Sequence, residues 1–149
     1  MRIMNKIMLI LAISIFTMAS CSDVNTVSTE VVESYPDGAT HVEKDYSTID
    51  DNKLYVYERE YYKDGKILKE GALNEKGRRD GVWKSYYRDG EIWSEGYFTN
   101  GRREGIAITY FTNGNKYYEG FYVKSKKSGI WKFWNEQGEF VKEVDYDKK

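Results

Sequence analysis

The stretch Arg78–Gly105, RRDGVWKSYYRDGEIWSEGYFTNGRREG, nearly repeats its own beginning at its end. Arg-Arg-Asp-Gly opens the stretch and Arg-Arg-Glu-Gly closes it, with two aromatic runs between them. An enzyme needs one catalytic constellation in one place, whereas a structural repeat writes the same corner several times. The stretch therefore predicts a repeat protein.

Dipeptides of Asp, Asn or Gln followed by Gly recur every 24 to 27 residues along the chain. Their glycines are Gly38, Gly65, Gly90, Gly114 and Gly138. Asp-Gly and Asn-Gly between alternating runs indicate β-hairpins, so we expect type I′ turns with positive φ at both central residues. Gly77 lies outside this series, and we expect it in a looser loop.

Other residue types keep the same interval. A glutamate follows each turn glycine by five residues, at Glu43, Glu70, Glu95, Glu119 and Glu143. Trp83 and Trp131 share one position, which Ala107 fills in the repeat between them. Mid-strand glycines such as Gly71 either bend a sheet or make room for a ring on the next strand.

The composition agrees with short strands and tight turns, since 14 tyrosines and 13 glycines occur with a single proline. We predict an all-β fold: an elongated, single-layer antiparallel meander of repeated hairpins with about ten short strands. The repeat domain is predicted over 34–149. Its units are about 34–60, 61–84, 86–108, 110–132 and 133–149.

The repeated pattern also resembles a known family. Gly-x-Trp-x-x-Tyr-Tyr-x-x-Gly, followed by Glu-Gly and by Asn-Gly with two basic residues, resembles the MORN repeat. The resemblance is greatest to the bacterial variant found in antitoxin proteins of the YwqK type. It covers residues 55–146, with a fainter copy over 34–46. It implies a scaffold for binding, because repeats of this kind carry many binding roles.

The first twenty residues have the three parts of a secretory signal: the cations Arg2 and Lys6, an apolar run, and small residues before Cys21. Met18 to Cys21 resembles the lipobox of bacterial lipoproteins. The resemblance implies cleavage after residue 20 and a lipid anchor on Cys21, which is the single cysteine of the chain. The alternative is a lone buried thiol. We expect a flexible tether over 21–33 and a place in the cell envelope, at the outer membrane or cell surface.

Three basic pairs follow the repeat interval, and we expect them in loops along one edge of the sheet. The domain has no global basic field for nucleic acid, because the formal net charge is −1. The pairs form either a solvated edge or a contact line for an acidic partner, anionic lipid or cell-wall polymer. The candidate binding residues are Arg78, Arg79, Arg102, Arg103, Lys126, Lys127, Tyr87, Phe111, Trp83 and Trp131.

Catalytic and metal-binding chemistry finds little support in this sequence. The single histidine, His41, has no second His to build a metal site, and we expect it at an exposed strand edge. The repeated glutamates favour pairing with cross-strand cations such as Lys84 and Lys132 over glycosidase chemistry. We predict no cofactor and no metal. The predicted function is a non-catalytic lipoprotein module that binds a partner protein, with an antitoxin or immunity role as one form. The alternative is a surface module that binds glycan or lipid through its aromatic rows.

Overall fold

The computed structural model describes residues 26–148, which form one open antiparallel sheet. The order of the strands in the sheet is the order of the chain. The strands are β1 (Val27–Ser34), β2 (Thr40–Ile49), β3 (Asn52–Tyr61), β4 (Ile67–Leu73), β5 (Arg79–Tyr86), β6 (Ile92–Thr99), β7 (Arg102–Tyr110), β8 (Lys116–Val123), β9 (Lys126–Trp134) and β10 (Phe140–Asp145). The predicted all-β meander of about ten strands is confirmed.

All five predicted Asp-Gly-type turns are present, but their geometry differs from the expected type I′. At Tyr35 the carbonyl accepts from Gly38 N at 2.8 Å and the amide donates to Ala39 O at 2.8 Å, which closes a three-residue loop. Only the glycine has positive φ, 86° at Gly38. A type I turn followed by one left-handed residue gives this pattern. Gly77 ends a loop of the same kind with φ 67°, so the expectation of a looser loop is wrong.

Type I′ geometry occurs instead at the opposite ends of the strands. Two-residue loops with positive φ at both positions join β2 to β3, β6 to β7 and β8 to β9; they are Asp50-Asp51, Asn100-Gly101 and Lys124-Ser125. The twist of a type I′ turn matches that of the flanking strands. This match explains why two of the three loops adopt the turn although they contain no glycine. We call this side of the sheet the basic edge, because the basic pairs lie beside these loops.

The predicted tether over 21–33 is wrong for its second half. Residues Val27–Ser34 form β1, which pairs with β2 from Val27 opposite Ser47 to Ser34 opposite Thr40. Alternation of Val27, Thr29 and Val31 with polar residues suffices for an edge strand, although no glycine or aromatic residue marks it. Cys21 and the rest of the proposed anchor region lie outside the described residues.

One face of the sheet, which we call the tryptophan face, carries the core. A cross-strand row runs Gly71, Trp83, Gly96, Ala107 and Gly120 in direct register. Trp83 is 4% exposed, and its indole lies over Gly71, where an added Cβ would meet the ring at 2.5 Å. The glycine thus makes room for the ring of the next strand.

We call the edge opposite the basic edge, where the Asp-Gly-type turns lie, the acidic edge. Tyrosine hydroxyls there donate hydrogen bonds from one turn to the next. The hydroxyl of Tyr35 donates to Tyr61 O at 2.7 Å, that of Tyr62 to Tyr86 O at 2.9 Å, and that of Tyr87 to Tyr110 O at 2.7 Å. Each bond spans 23 to 26 residues, one repeat unit. The array is therefore held together by contacts between successive units.

Candidate interaction surfaces

The prediction that the basic pairs lie in loops is wrong for five of their six residues, which lie within strands; Arg78 alone precedes its strand. Arg79 opens β5, Arg103 is the second residue of β7, and Lys127 is the second residue of β9. Pairing of Leu73 with Arg79 and of Phe98 with Arg103 directs these second members onto the tryptophan face. Each pair thus divides between the tryptophan face, which receives the second member, and the edge of the sheet, where the first member lies beside the loop.

The second members stack on aromatic rings. The Arg79 guanidinium lies 4.2 Å from the Trp83 ring centroid, and the Lys127 ammonium lies 4.3 Å from that of Trp131. Arg103 lies 5.4 Å from both Phe98 and the next ring along, that of Tyr122. A cation over a ring stabilises by about 0.5–2 kcal/mol, depending on desolvation. These three cations therefore serve the fold.

The first members, Arg78, Arg102 and Lys126, are exposed at the basic edge. Lys76 and Lys124 lie beside them, and an open groove there is lined by Lys76, Arg78, Arg102 and Lys124 together with Glu104. Within residues 26–148 none of these five cations forms a salt bridge. The opposite edge differs, because Lys63 and Arg88 there pair with Asp37 and Asp64 of the preceding turns at 3.0 and 3.2 Å.

The four aromatic candidates occupy two environments. Trp83 and Trp131 are buried, at 4% and 1% exposure, and their indole nitrogens donate to backbone carbonyls. They are part of the core and not of an accessible surface. Tyr87 and Phe111 are half-buried at the acidic edge, where Phe111 packs against Tyr117 with ring centroids 4.9 Å apart.

The repeated glutamates form a ladder across the other face of the sheet, which we call the outer face. The ladder alternates in sign from strand to strand, in the order Glu43, Arg59, Glu70, Lys84, Glu95, Ile108, Glu119, Lys132 and Glu143. Only Ile108 interrupts it. Opposite charges directly across strands stabilise a sheet, so the ladder supports the structural interpretation of these glutamates.

Tyrosine hydroxyls donate hydrogen bonds to several of these carboxylates. Tyr86 donates to Glu70 at 2.7 Å and Tyr110 donates to Glu95 at 3.0 Å, while Tyr61 makes the equivalent bond to Glu43. Burial, and then the bond to the Glu43 carboxylate, raises the pKa of Tyr61 to about 12. Burial and the bond to Glu70 likewise raise the pKa of Tyr86. Carboxylates engaged in this way have their lone pairs occupied by the fold.

His41 is placed differently from the expected exposed strand edge. It lies in β2, inside the sheet, and its Nδ1 is 2.8 Å from Glu33 and its Nε2 is 3.6 Å from Glu60. Its ring stacks on Tyr35 with centroids 4.5 Å apart. The residue is therefore a partly buried cross-strand contact.

A row of exposed apolar side chains lies on the outer face beside the ladder, and sequence reasoning missed it. We call it the apolar stripe; its exposed members are Val82, Tyr97, Ile106, Phe121 and Ile130, at 44–58% exposure. Val82 is directly opposite Tyr97, and Ile106 is directly opposite Phe121. The signal was present, because the neighbours of a buried Trp or Gly column on a strand must point to the opposite face.

Metal-ligand clusters and membrane-spanning helices were searched for in the described part of the chain. No group of three His, Cys, Asp or Glu side chains in residues 26–148 is arranged to hold a metal ion. The same residues contain no helix long and apolar enough to cross a membrane.

Comparison with known families agrees with the repeat geometry. Two adjacent units match the MORN repeat variant. The matched residues are 79–100 and 103–124, which run from β5 to the loop after β8. The boundary between the two MORN units lies at the Asn100-Gly101 turn, so each unit begins with the stacked basic residue and contains one three-residue turn. No curated protein and no solved structure matches the chain.

Proposed function

We propose that this chain is a non-catalytic, lipid-anchored module of the bacterial cell envelope, and that its MORN-like sheet binds an acidic partner protein. The anchor is a lipid on Cys21, at the outer membrane or cell surface. A more specific form of this proposal is that the chain neutralises a secreted toxin, in an antitoxin or immunity role. The identity of the neighbouring genes would test it.

The basic edge carries the proposal. Five exposed cations lie along it without an intrachain carboxylate partner within residues 26–148, on a chain whose net charge is −1. On the other edge Lys63 and Arg88 form ion pairs and Lys66 forms none within residues 26–148, so unpaired cations are more numerous along the basic edge. A one-sided positive edge attracts acidic surfaces and speeds their association. Of the five cations, Lys124 lies inside the matched residues and the other four lie between or just outside the two matched segments, and repeats of this kind are binding scaffolds.

The test reverses the first members of the basic pairs. Arg78→Glu, Arg102→Glu and Lys126→Glu together should abolish capture of an acidic protein from a cell-envelope extract, and the wild-type capture should weaken with salt. Single reversals should have little effect, because one exposed ion pair contributes about 0–1 kcal/mol. Arg79 and Arg103 are left unchanged because they stack on the tryptophan face.

The matched control makes the same change in charge on the acidic edge, through Lys63→Glu, Lys66→Glu and Arg88→Glu. This variant should retain the partner. Both variants are checked for folding by circular dichroism. If the wild type and both variants retained the same proteins, the basic edge would be a solvated surface and not a binding site.

A second candidate function, glycan binding, is favoured by an open groove of about 480 Å³ near the last turn. Phe111, Tyr117 and Trp134 line it together with the amides of Asn135 and Gln137. Rings beside amide groups suit sugar faces and hydroxyls. Tyr117→Ala should then weaken binding to an envelope polysaccharide with little dependence on salt, and a protein-binding module should show no such loss.

A further inference from the structure

Within residues 26–148 no second layer covers the apolar stripe, which lies on a face distinct from the basic edge. Its exposed side chains run across β5 to β9, and Ala72 of β4 continues the row toward the N-terminus. The stripe lines a depression of about 410 Å³. Ile108, in the position where the ladder lacks a cation, borders this depression. Contiguous exposed apolar rows mark surfaces that another layer covers.

We propose that this face binds a second copy of the chain, with the two outer faces packed together about a twofold axis that lies between β6 and β7 and runs along the strands. The proposal goes beyond the binding function of the basic edge and uses different residues. Two antiparallel sheets stacked in this way form a sandwich about 10 Å thick.

The first reason is the symmetry of the stripe. The row from Ala72 in β4 to Ile130 in β9 has three strands on each side of the β6–β7 boundary, and half-buried Tyr57 of β3 lies beyond Ala72 in the same row. The axis therefore places Tyr97 on Ile106 of the second copy and Val82 on Phe121, pairing a ring with an aliphatic side chain at each step. An axis one strand away would place Val82 or Ile130 against the acidic residues that end the row, Asp145 or Asp45.

The second reason is the charge ladder, which is self-complementary about the same axis. Because the sign alternates from strand to strand, an axis between two strands sets a cation of one copy against an anion of the other, except at the centre, where Glu95 of β6 faces Ile108 of β7. Lys84 of β5 meets Glu119 of β8, and Glu70 of β4 meets Lys132 of β9. A twofold axis along β7 itself would set Glu95 against Glu119, which like-charge repulsion disfavours.

The side chains needed for these contacts are accessible. The Lys84 and Glu119 side chains are 41% and 39% exposed; the intrachain ion pair of Lys84 with Glu95 is long at 3.9 Å, while Glu119 accepts from Lys116 at 2.6 Å through one of its two oxygens. Lys84 therefore has donor capacity left for a carboxylate of the second copy. An isologous contact of this kind closes after two copies, as most homodimers do.

The test is sedimentation equilibrium of the detergent-solubilised full chain, with the detergent matched in density. The mass is expected to rise with concentration from that of one chain to twice that value. Ile106→Asp should leave a single chain at every concentration, because it places a charge in the centre of the stripe. The matched control is Ile49→Asp, an equally exposed isoleucine at the end of β2, which should dimerise as the wild type does.

A charge-swap pair tests the axis itself. Lys84→Glu and Glu119→Lys should each weaken dimerisation at least tenfold, and the double variant should recover it. Recovery cannot arise within one chain, because the two residues lie on strands that are not neighbours. A wild-type chain that stays monomeric at all concentrations, or a double variant that is weaker than either single one, overturns the proposal. Capture at the basic edge is measured separately and does not depend on this outcome.

Discussion

Alanine at Gly120 should be among the most damaging single-methyl additions in this protein. An added Cβ would lie 2.1 Å from Cδ2 and 2.3 Å from Cε2 of Trp131. That indole is 1% exposed and is enclosed by the rings of Tyr118, Tyr122 and Tyr146 at 5.1–5.7 Å, so it has no free space to enter. Overpacking of a filled site costs about 1–3 kcal/mol, and we expect the upper end here.

The matched control is the equivalent glycine of the preceding repeat. A Cβ at Gly96 would lie 3.5 Å from Arg103 Nη1 and 3.8 Å from Phe98 Cε2, which are ordinary contacts. Ala107 takes the place of a tryptophan there, so no ring covers the glycine. Gly96→Ala should be neutral or stabilising by about 0.5–1 kcal/mol, because alanine restricts the unfolded chain.

Urea unfolding followed by circular dichroism measures both free energies of unfolding. The melting temperature should fall by about 10 °C for Gly120→Ala, at roughly 4 °C per kcal/mol for a domain of this size. The cost should largely disappear in a Trp131→Ala background, since the two sites are in direct contact. Equal losses at Gly96 and Gly120, or an unchanged cost without the indole, would refute the account of the glycine column as room for a ring.

Asp51→Gly should raise the free energy of unfolding by about 1 kcal/mol, because Asp51 holds φ at 62°, and Gly101→Asp should lower it; thermal melts compare the two. Cys21→Ser should leave the chain unprocessed or release it into soluble fractions, and a variant still cleaved and membrane-bound on immunoblots would remove the anchor from the proposal. The bidentate Arg59 guanidinium, 2.9 Å from each Asp45 oxygen, lowers the pKa of that carboxyl, so its contribution to stability is complete above about pH 4 and is lost as the pH falls further. Arg59→Gln should flatten that acid limb in pH-dependent urea titrations.

Much of the architecture could be predicted from the sequence, because the repeat interval fixes both the turns and the pairing. The turn glycines, the Trp column and the glutamate column each mark one cross-strand row. Turn type was harder to predict, since Asp-Gly suits several loops and the number of loop residues, not the dipeptide, selects among them. Strand β1 was missed because it lacks the turn and ring signals on which the repeat depends.

The candidate site was harder to predict than the fold. The pair Arg78 and Arg79 has the appearance of one exposed doublet in the sequence, yet Arg79 opens β5 and stacks on Trp83, and only Arg78 remains free. The apolar stripe escaped notice because Val82 and Ile106 are ordinary strand residues in composition. Their exposure follows from the arrangement of residues 26–148 in one sheet, which is a property of the whole array and not of a local sequence.

The tyrosine bonds from turn to turn, and a strand order that follows the chain, make the array modular in length. Removal of residues 87–110 joins Tyr86 to Phe111, which precedes an equivalent turn, and it sets β5 against β8. Val82 would then face Phe121 as Ile106 does now, and Lys84 would face Glu119 where Ile108 stands. A chain shorter by one repeat should therefore fold as an eight-stranded sheet. Gain or loss of single units would thus change the length of such a sheet, while the remaining contacts between units stay of the same type.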